Sequence, residues 1–107
     1  MAWNIQNKEK YQLFSPTFSE EQELSDALLV VQTAKNKIVD ISLLTLTDAS
    51  VALLAKVYEY HVARQVSFIV VVSSFENLER LEEYFIVVPS ISEAIDYIYM
   101  EELERNV

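Results

Sequence analysis

The 107-residue chain is 51% apolar and carries 17 acidic against 8 basic residues, which gives a formal net charge of −9. This length allows one domain with a hydrophobic core and is too short for two, so we expect a single domain over residues 1–107. The charge disfavours nucleic acid and anionic membranes as partners. The chain has no Cys and no Gly, which excludes disulfides, thiolate metal sites and every glycine-dependent phosphate-binding loop.

The N-terminus has no basic region followed by a long apolar segment, and no apolar run approaches the length of a membrane span. We therefore expect a soluble cytoplasmic protein. Because glycine is absent, asparagines such as Asn36 and Asn77 are expected to supply any left-handed backbone conformations.

The N-terminal residues have the pattern of a β-hairpin. Trp3 and Ile5 alternate with polar neighbours, and Tyr11 and Leu13 do the same. Pro16 is expected to break the second strand, because proline cannot donate a backbone hydrogen bond.

Residues 19–35 predict a helix, with Ser19 as N-cap, acidic residues in the first turn and a basic last turn. Residues 37–44 are apolar on both faces except at Asp40 and Ser42, which is typical of a central strand covered on both sides.

Residues 51–63 predict a second helix, which is apolar around more of its circumference than packing on one sheet requires. Residues 67–72 form the clearest strand pattern of the chain. Ser73 and Glu76 then have the spacing of a capping box, and they open a predicted helix that ends at about Tyr84.

Residues 85–88 predict a short strand that ends at Pro89, and Ser90 with Glu93 repeats the capping-box spacing before a helix to about Glu104. The order β-β-α-β-α-β-α-β-α predicts an α/β fold. We expect a mostly parallel sheet of four to five strands, an antiparallel N-terminal edge hairpin and about four helices.

A strand-to-helix corner, Leu44-Thr-Leu-Thr-Asp-Ala-Ser50, joins the third predicted strand to the second predicted helix. Asp48 and Ser50 place short side-chain oxygens where the first helical N–H groups lack partners. The corner could therefore cap the helix, bind an anion or contact another protein.

Support for catalysis is weak. The only histidine, His61, lies in an apolar helix without a carboxylate at ligand spacing, so we interpret it as a surface or half-buried residue. Asp40 and Asp48 flank the end of a strand, and paired acids can perform acid–base chemistry. Hydrogen bonds to the backbone or to a helix end explain Asp40 more simply. We expect no catalytic residue, no cofactor and no metal.

From Tyr11 to the C-terminus the sequence resembles the STAS domain family, the fold of bacterial anti-sigma factor antagonists. Ile38-Val-Asp-Ile-Ser42 matches a family strand that ends in Asp-Leu-Ser, and Thr47-Asp-Ala-Ser50 takes the place of its Asp-Ser-Ser-Gly corner. Val87-Val-Pro-Ser90 with Glu93-Ala94-Ile95 resembles the last strand and helix of the family. The resemblance implies a STAS-like (SpoIIAA-like) fold and a divergent member of a small single-domain subgroup.

In that family the first Ser of the corner is phosphorylated by a partner that is both anti-sigma factor and kinase, and phosphorylation releases the complex. Ala49 occupies this position here, and a methyl group cannot accept phosphate. The resemblance therefore implies that the usual phosphoswitch is absent unless Ser50 is a substitute phosphosite. Val51 replaces the next Gly of the family and adds bulk where a partner would approach.

The leading hypothesis is a non-enzymatic interaction module of transcription regulation, with an anti-sigma factor/serine kinase-like protein or another STAS protein as its partner. A degenerate paralogue that forms a homodimer or heterodimer through the helix at residues 51–63 is the alternative. A small enzyme that uses Asp40 or Asp48 is less favoured. The predicted docking residues are Thr47, Asp48, Ala49, Ser50, Val51, Leu54 and Tyr58.

Overall fold

The computed structural model describes residues 3–16, 35–42 and 46–106. The predicted helix at residues 19–35 lies almost entirely outside the described residues, as do residues 43–45 of the corner region. The described elements are β1 (Trp3–Asn7), β2 (Gln12–Pro16), β3 (Lys37–Asp40), α1 (Asp48–Ala63), β4 (Phe68–Val71), α2 (Phe75–Leu81), β5 (Ile86–Val88) and α3 (Ile91–Arg105).

The five strands form one sheet in the order β1-β2-β3-β4-β5. β1 and β2 are antiparallel, with Trp3 opposite Pro16, and the other neighbours are parallel. The predicted α/β fold with an antiparallel edge hairpin is therefore confirmed. Pro16 does not break β2 but is its last residue. The pairing of β2 with β3 extends only from Gln12 to Phe14, so the missing N–H of Pro16 lies outside that pairing.

Both faces of the sheet are covered, which explains the continuous apolar run of β4. Phe68, Val70 and Val72 pack in a cluster with residues of α1 and α2. Ile69 and Val71 face the other way and pack with residues of α3. The alternation places α1 and α2 on one face of the sheet and α3 on the opposite face.

β3 is shorter than the predicted strand at residues 37–44, because the Asp40 side chain turns the chain after the strand. Its Oδ1 accepts hydrogen bonds from Ser42 N at 3.1 Å and from Ser42 Oγ at 2.7 Å. The interpretation of Asp40 as a residue that bonds the local backbone agrees with this geometry.

α2 begins one residue later than the predicted cap at Ser73. Ser74 is the N-cap and accepts a hydrogen bond from Asn77 N at 3.1 Å, whereas Ser73 Oγ donates to Ser42 O at 3.2 Å. The helix ends at Leu81 and not at Tyr84. Either of two adjacent serines can serve as the N-cap of a helix. Here the Ser73 hydroxyl forms a long-range hydrogen bond, and Ser74 caps the helix.

The left-handed conformation occurs at neither predicted asparagine. Among the described residues only Gln65 has a positive φ, at 58°. Gln65 follows the end of α1, where Val66 N donates to His61 O and Gln65 N donates to Val62 O, both at 3.1 Å. This is a Schellman-type helix end with glutamine at the position that usually holds glycine.

Candidate functional site: the start of helix α1

The N-terminus of α1 is capped by Thr47, whose Oγ1 accepts a hydrogen bond from Ser50 N at 3.4 Å. Asp48, which the sequence predicted as the cap, is instead the first residue of the helix. Its carboxylate still lies in the first turn, where a negative charge favours the helix dipole.

Asp48 connects α1 to α2 through Arg80. Arg80 Nη2 lies 2.7 Å from Asp48 Oδ1, and Arg80 Nη1 donates to Leu46 O at 3.0 Å. The Asp48 side chain is fully exposed, with a relative accessibility of 102%. An ion pair so exposed adds little to stability. Because the Asp48 side chain is exposed, its carboxylate is accessible to a binding partner.

The predicted docking residues differ in their exposure. Thr47, Asp48 and Ala49 are exposed. Ser50, Val51 and Leu54 are buried, with exposures of 4%, 6% and 0%, and Tyr58 is half-buried.

Val51 and Leu54 lie in the core cluster between α1 and the sheet. Their burial argues against direct contact with a partner, and their assignment as docking residues stays a prediction. Together with Val57 they account for much of the apolar character of this helix, which the sequence analysis found to exceed what packing on one sheet requires.

An exposed surface remains around the first two turns of α1. Ala52 is exposed and lies one turn after Ala49. A groove of ≈ 350 Å³ at this surface is lined by Asp48, Val51, Ala52, Arg80 and Tyr84.

Sequence reasoning missed three residues of this surface. The spacing of three residues from Ala49 could have indicated Ala52. Arg80 and Tyr84 reach the surface only through the packing of α2 beside α1, and no local pattern marks them. We call Thr47, Asp48, Ala49, Ala52, Arg80 and Tyr84 the α1 docking surface, because it contains the exposed members of the predicted docking set; its role in binding stays a prediction.

The position of the family phosphoacceptor is accessible but holds Ala49. The neighbouring Ser50 is buried and its backbone N–H bonds the Thr47 cap. A kinase would need the first turn of α1 to open before it could reach the Ser50 hydroxyl. Phosphorylation of Ser50 stays a prediction, and this burial argues against it.

Asp40 and Asp48 have different partners. Asp40 is half-buried and bonded to Ser42, while Asp48 pairs with Arg80. The groove that Asp48 lines does not have Asp40 among its lining residues. Each carboxylate therefore has a structural role, and their use as a catalytic pair stays a prediction.

His61 is fully buried, which corrects its interpretation as a surface or half-buried residue. Its Nδ1 donates to Val57 O at 2.7 Å, so Nε2 carries the lone pair that faces Lys37 Nζ at 3.3 Å. Lys37 is also fully buried, and its ammonium donates to Lys35 O at 2.8 Å.

Burial lowers the pKa values of both buried groups. Burial is the main cause for His61; the hydrogen bond to Val57 opposes it, the charges of Lys37 and Arg64 add to it, and the resulting pKa is about 4. Burial and the charge of Lys35 lower the pKa of Lys37 to about 8. At neutral pH the pair is therefore a neutral imidazole beside a mostly protonated ammonium.

Within residues 3–16, 35–42 and 46–106, no three side chains of His, Asp or Glu come together in a group that could hold a metal ion. No helix there combines the length and apolar character that a membrane span needs.

The fold was compared with known proteins. No family model matches the sequence, and no curated protein matches it either. Among solved structures, an anti-sigma factor antagonist from Mycobacterium paratuberculosis superposes with a TM-score of 0.72 at 18% identity, over 91% of this chain and 92% of that chain. RsbS from Moorella thermoacetica, in a serine-to-glutamate variant, superposes with a TM-score of 0.71 at 15% identity, over 98% and 99%.

The chain has the STAS fold. The resemblance that rested on short motifs is thus confirmed at the level of the fold, and both neighbours are STAS domain proteins. Within this fold, α1 follows β3, and β3 and β4 are parallel neighbours. The start of α1 therefore lies at the edge of the sheet where these two strands end.

Proposed function

We propose that this protein is a non-enzymatic regulatory module, a single STAS-like domain that resembles an anti-sigma factor antagonist and binds a protein partner through the α1 docking surface. The STAS fold of its structural neighbours supports this class of function. The expected partner is an anti-sigma factor/serine kinase-like protein or another STAS protein. A cytoplasmic location remains part of the proposal.

The observation that carries the proposal is the exposure of Ala49 and Ala52 on the first two turns of α1, beside the groove that Tyr84 lines. Alanine side chains allow a partner backbone to approach the helix closely. A tyrosine at the rim gives a partner a large amphipathic contact area, which is common at protein interfaces. The Asp48 carboxylate and the Arg80 guanidinium add one charge of each sign to the same surface.

Control of this module differs from the phosphoswitch that the family resemblance implies. Ala49 cannot accept phosphate, and Ser50 is buried. Binding at the α1 docking surface is therefore constitutive, or it is controlled by the abundance or modification of the partner.

The dimer alternative loses part of its basis. It relied on an exposed apolar face of the helix at residues 51–63, but Val51, Leu54 and Val57 are buried in the core. The oligomeric state stays a prediction. The enzyme alternative also loses support, because Asp40 bonds Ser42 and Asp48 pairs with Arg80.

Site-specific photo-crosslinking in the native host tests the proposal. A photoreactive amino acid placed at Ala52 should give a discrete crosslinked product, whose protein component mass spectrometry then identifies. The matched control carries the same amino acid at Ala63, an exposed alanine at the far end of the same helix. Equal products from the two positions, or no product at position 52, would contradict the proposal.

A further inference from the structure

A second cavity lies at the opposite end of the sheet from the α1 docking surface. It is formed where β2, β3 and β4 begin, between the turn that joins β1 to β2 and the last turn of α3. Its volume is ≈ 610 Å³, and its charged or buried polar lining residues include Lys8, Lys10, Lys35, Asn36, Glu102 and Arg105.

The lining of this cavity is basic although the protein is acidic. Four of the eight basic residues of the chain line it, against two acidic residues, Glu9 and Glu102. The buried ammonium of Lys37 donates to the carbonyl of Lys35, one of the lining residues. Charges closer than the screening length of about 8 Å dominate the local potential at physiological salt, so the cavity attracts anions despite the net charge of the chain.

The floor of the cavity is held in place by Asn36, which is only 8% exposed. Its Nδ2 donates to Lys10 O at 2.9 Å and to Glu102 Oε1 at 2.7 Å, and its Oδ1 accepts from Ser67 N at 2.8 Å. These bonds join the β1–β2 turn, the start of β4 and α3. The cavity is therefore formed before a ligand enters, which reduces the entropic cost of binding.

The cations around this floor retain donors for a ligand. Arg105 Nη2 donates to Ser67 Oγ at 2.7 Å and lies 3.7 Å from Glu101 Oε1, and Arg105 Nη1 donates to Asn36 Oδ1 at 3.5 Å. These contacts leave part of its five N–H donors unused. Lys10 Nζ is 3.5 Å from Glu102 Oε2. The ammonium groups of Lys8 and Lys35 form no recorded hydrogen bond or ion pair with the described part of the chain.

We propose that this cavity binds a small, multiply charged anion, either a phosphorylated or a polycarboxylate compound. The side chains of four basic residues line the same cavity: Lys8, Lys10, Lys35 and Arg105. A ligand with more than one negative group can pair with several of these cations at once, so this arrangement favours such a ligand. The volume falls within the range of about 300–1,000 Å³ that is usual for small-molecule sites. The site lies away from the α1 docking surface, so the inference does not depend on the proposed partner.

Titrations of the full chain with citrate and, separately, with inorganic pyrophosphate test this inference. At low ionic strength, amide resonances of Lys10, Asn36 and Ser67 should shift in a saturable way, while those of Ala49 and Ala52 should not. Stronger binding of citrate would assign a polycarboxylate ligand, and stronger binding of pyrophosphate would assign a phosphorylated one.

The double variant Lys8→Gln, Lys35→Gln should raise the Kd about tenfold or more, since each cation next to the anion strengthens binding several-fold. The control Lys56→Gln, Arg64→Gln changes the net charge equally on α1 and just after it, outside the cavity, and should leave the Kd within about twofold. No saturable shift with either anion, or equal weakening in the two double variants, would overturn the inference. Thermal unfolding of both variants confirms that the comparison is made between folded proteins.

Discussion

Acidification should destabilise this protein through its one histidine. The imidazole of His61 is buried, it donates to the backbone carbonyl of Val57, and its other nitrogen faces the Lys37 ammonium. Protonation would place a second positive charge in the same buried site and would remove the acceptor for Lys37. The pKa of His61 accordingly falls from 6.5 to about 4.

The sign and the size of the effect follow from these values. Because folded His61 binds a proton less tightly than the unfolded chain does, its stabilising contribution is complete above about pH 6.5 and is lost as the pH falls towards 4. A lowering of the pKa from 6.5 to about 4 corresponds to about 3 kcal/mol in total, of which about 2 kcal/mol is lost by pH 5.

Urea unfolding over this pH range measures the loss, and the variant His61→Gln isolates it. The glutamine amide can accept a hydrogen bond from Lys37 but cannot be protonated in this range, so the stability difference between wild type and variant should shrink as the pH falls. Since the chain has one His, a single imidazole resonance reports its pKa directly by NMR. A pKa at or above 6.5, or an equal loss of stability in the variant, would refute the reasoning.

Three further predictions concern stability. Gln65→Gly should stabilise the protein by about 0.5–1 kcal/mol, because Gln65 has φ at 58° and glycine adopts this conformation without steric cost; a higher Tm than that of Gln65→Ala would support this. Leu54→Ala should lower the free energy of unfolding by about 2–5 kcal/mol, because Leu54 is fully buried. A decrease of less than about 1 kcal/mol in urea unfolding would contradict this prediction. Ser90→Ala should cost about 1 kcal/mol, because Ser90 Oγ accepts from Glu93 N at 3.2 Å and donates to Glu93 Oε2 at 3.1 Å, whereas Ser92→Ala, an exposed position in the same turn, should leave Tm nearly unchanged.

The sequence predicted the sheet well because its strands are marked by strong local patterns. The alternation at Trp3 and Ile5 predicted the antiparallel hairpin, and the apolar run at residues 37–44 predicted a strand covered on both faces. The capping box at Ser90 was also found correctly. In each case the local pattern and the tertiary packing favour the same structure, and the prediction succeeds for that reason.

The errors lie where long-range packing decides. His61 follows Leu54 and Val57 at helical spacing, so the periodicity of α1 could have placed it on the buried face. The presence of Lys37 beside it depends on the approach of β3 to α1, which no local pattern encodes. The same holds for the docking surface, because Arg80 reaches the start of α1 only through the packing of α2.

The central claim is that a partner protein binds at the first two turns of α1 without a phosphoswitch. The most direct measurement is the affinity of the partner identified by crosslinking for wild type, Ala49→Glu and the control Ala63→Glu. A glutamate at position 49 adds bulk and negative charge to the docking surface, and it should leave the fold intact because acids are favourable near a helix N-terminus. We expect Ala49→Glu to weaken binding at least about tenfold, a loss of about 1.4 kcal/mol, and Ala63→Glu to bind as wild type does. Unchanged affinity of Ala49→Glu would contradict the account.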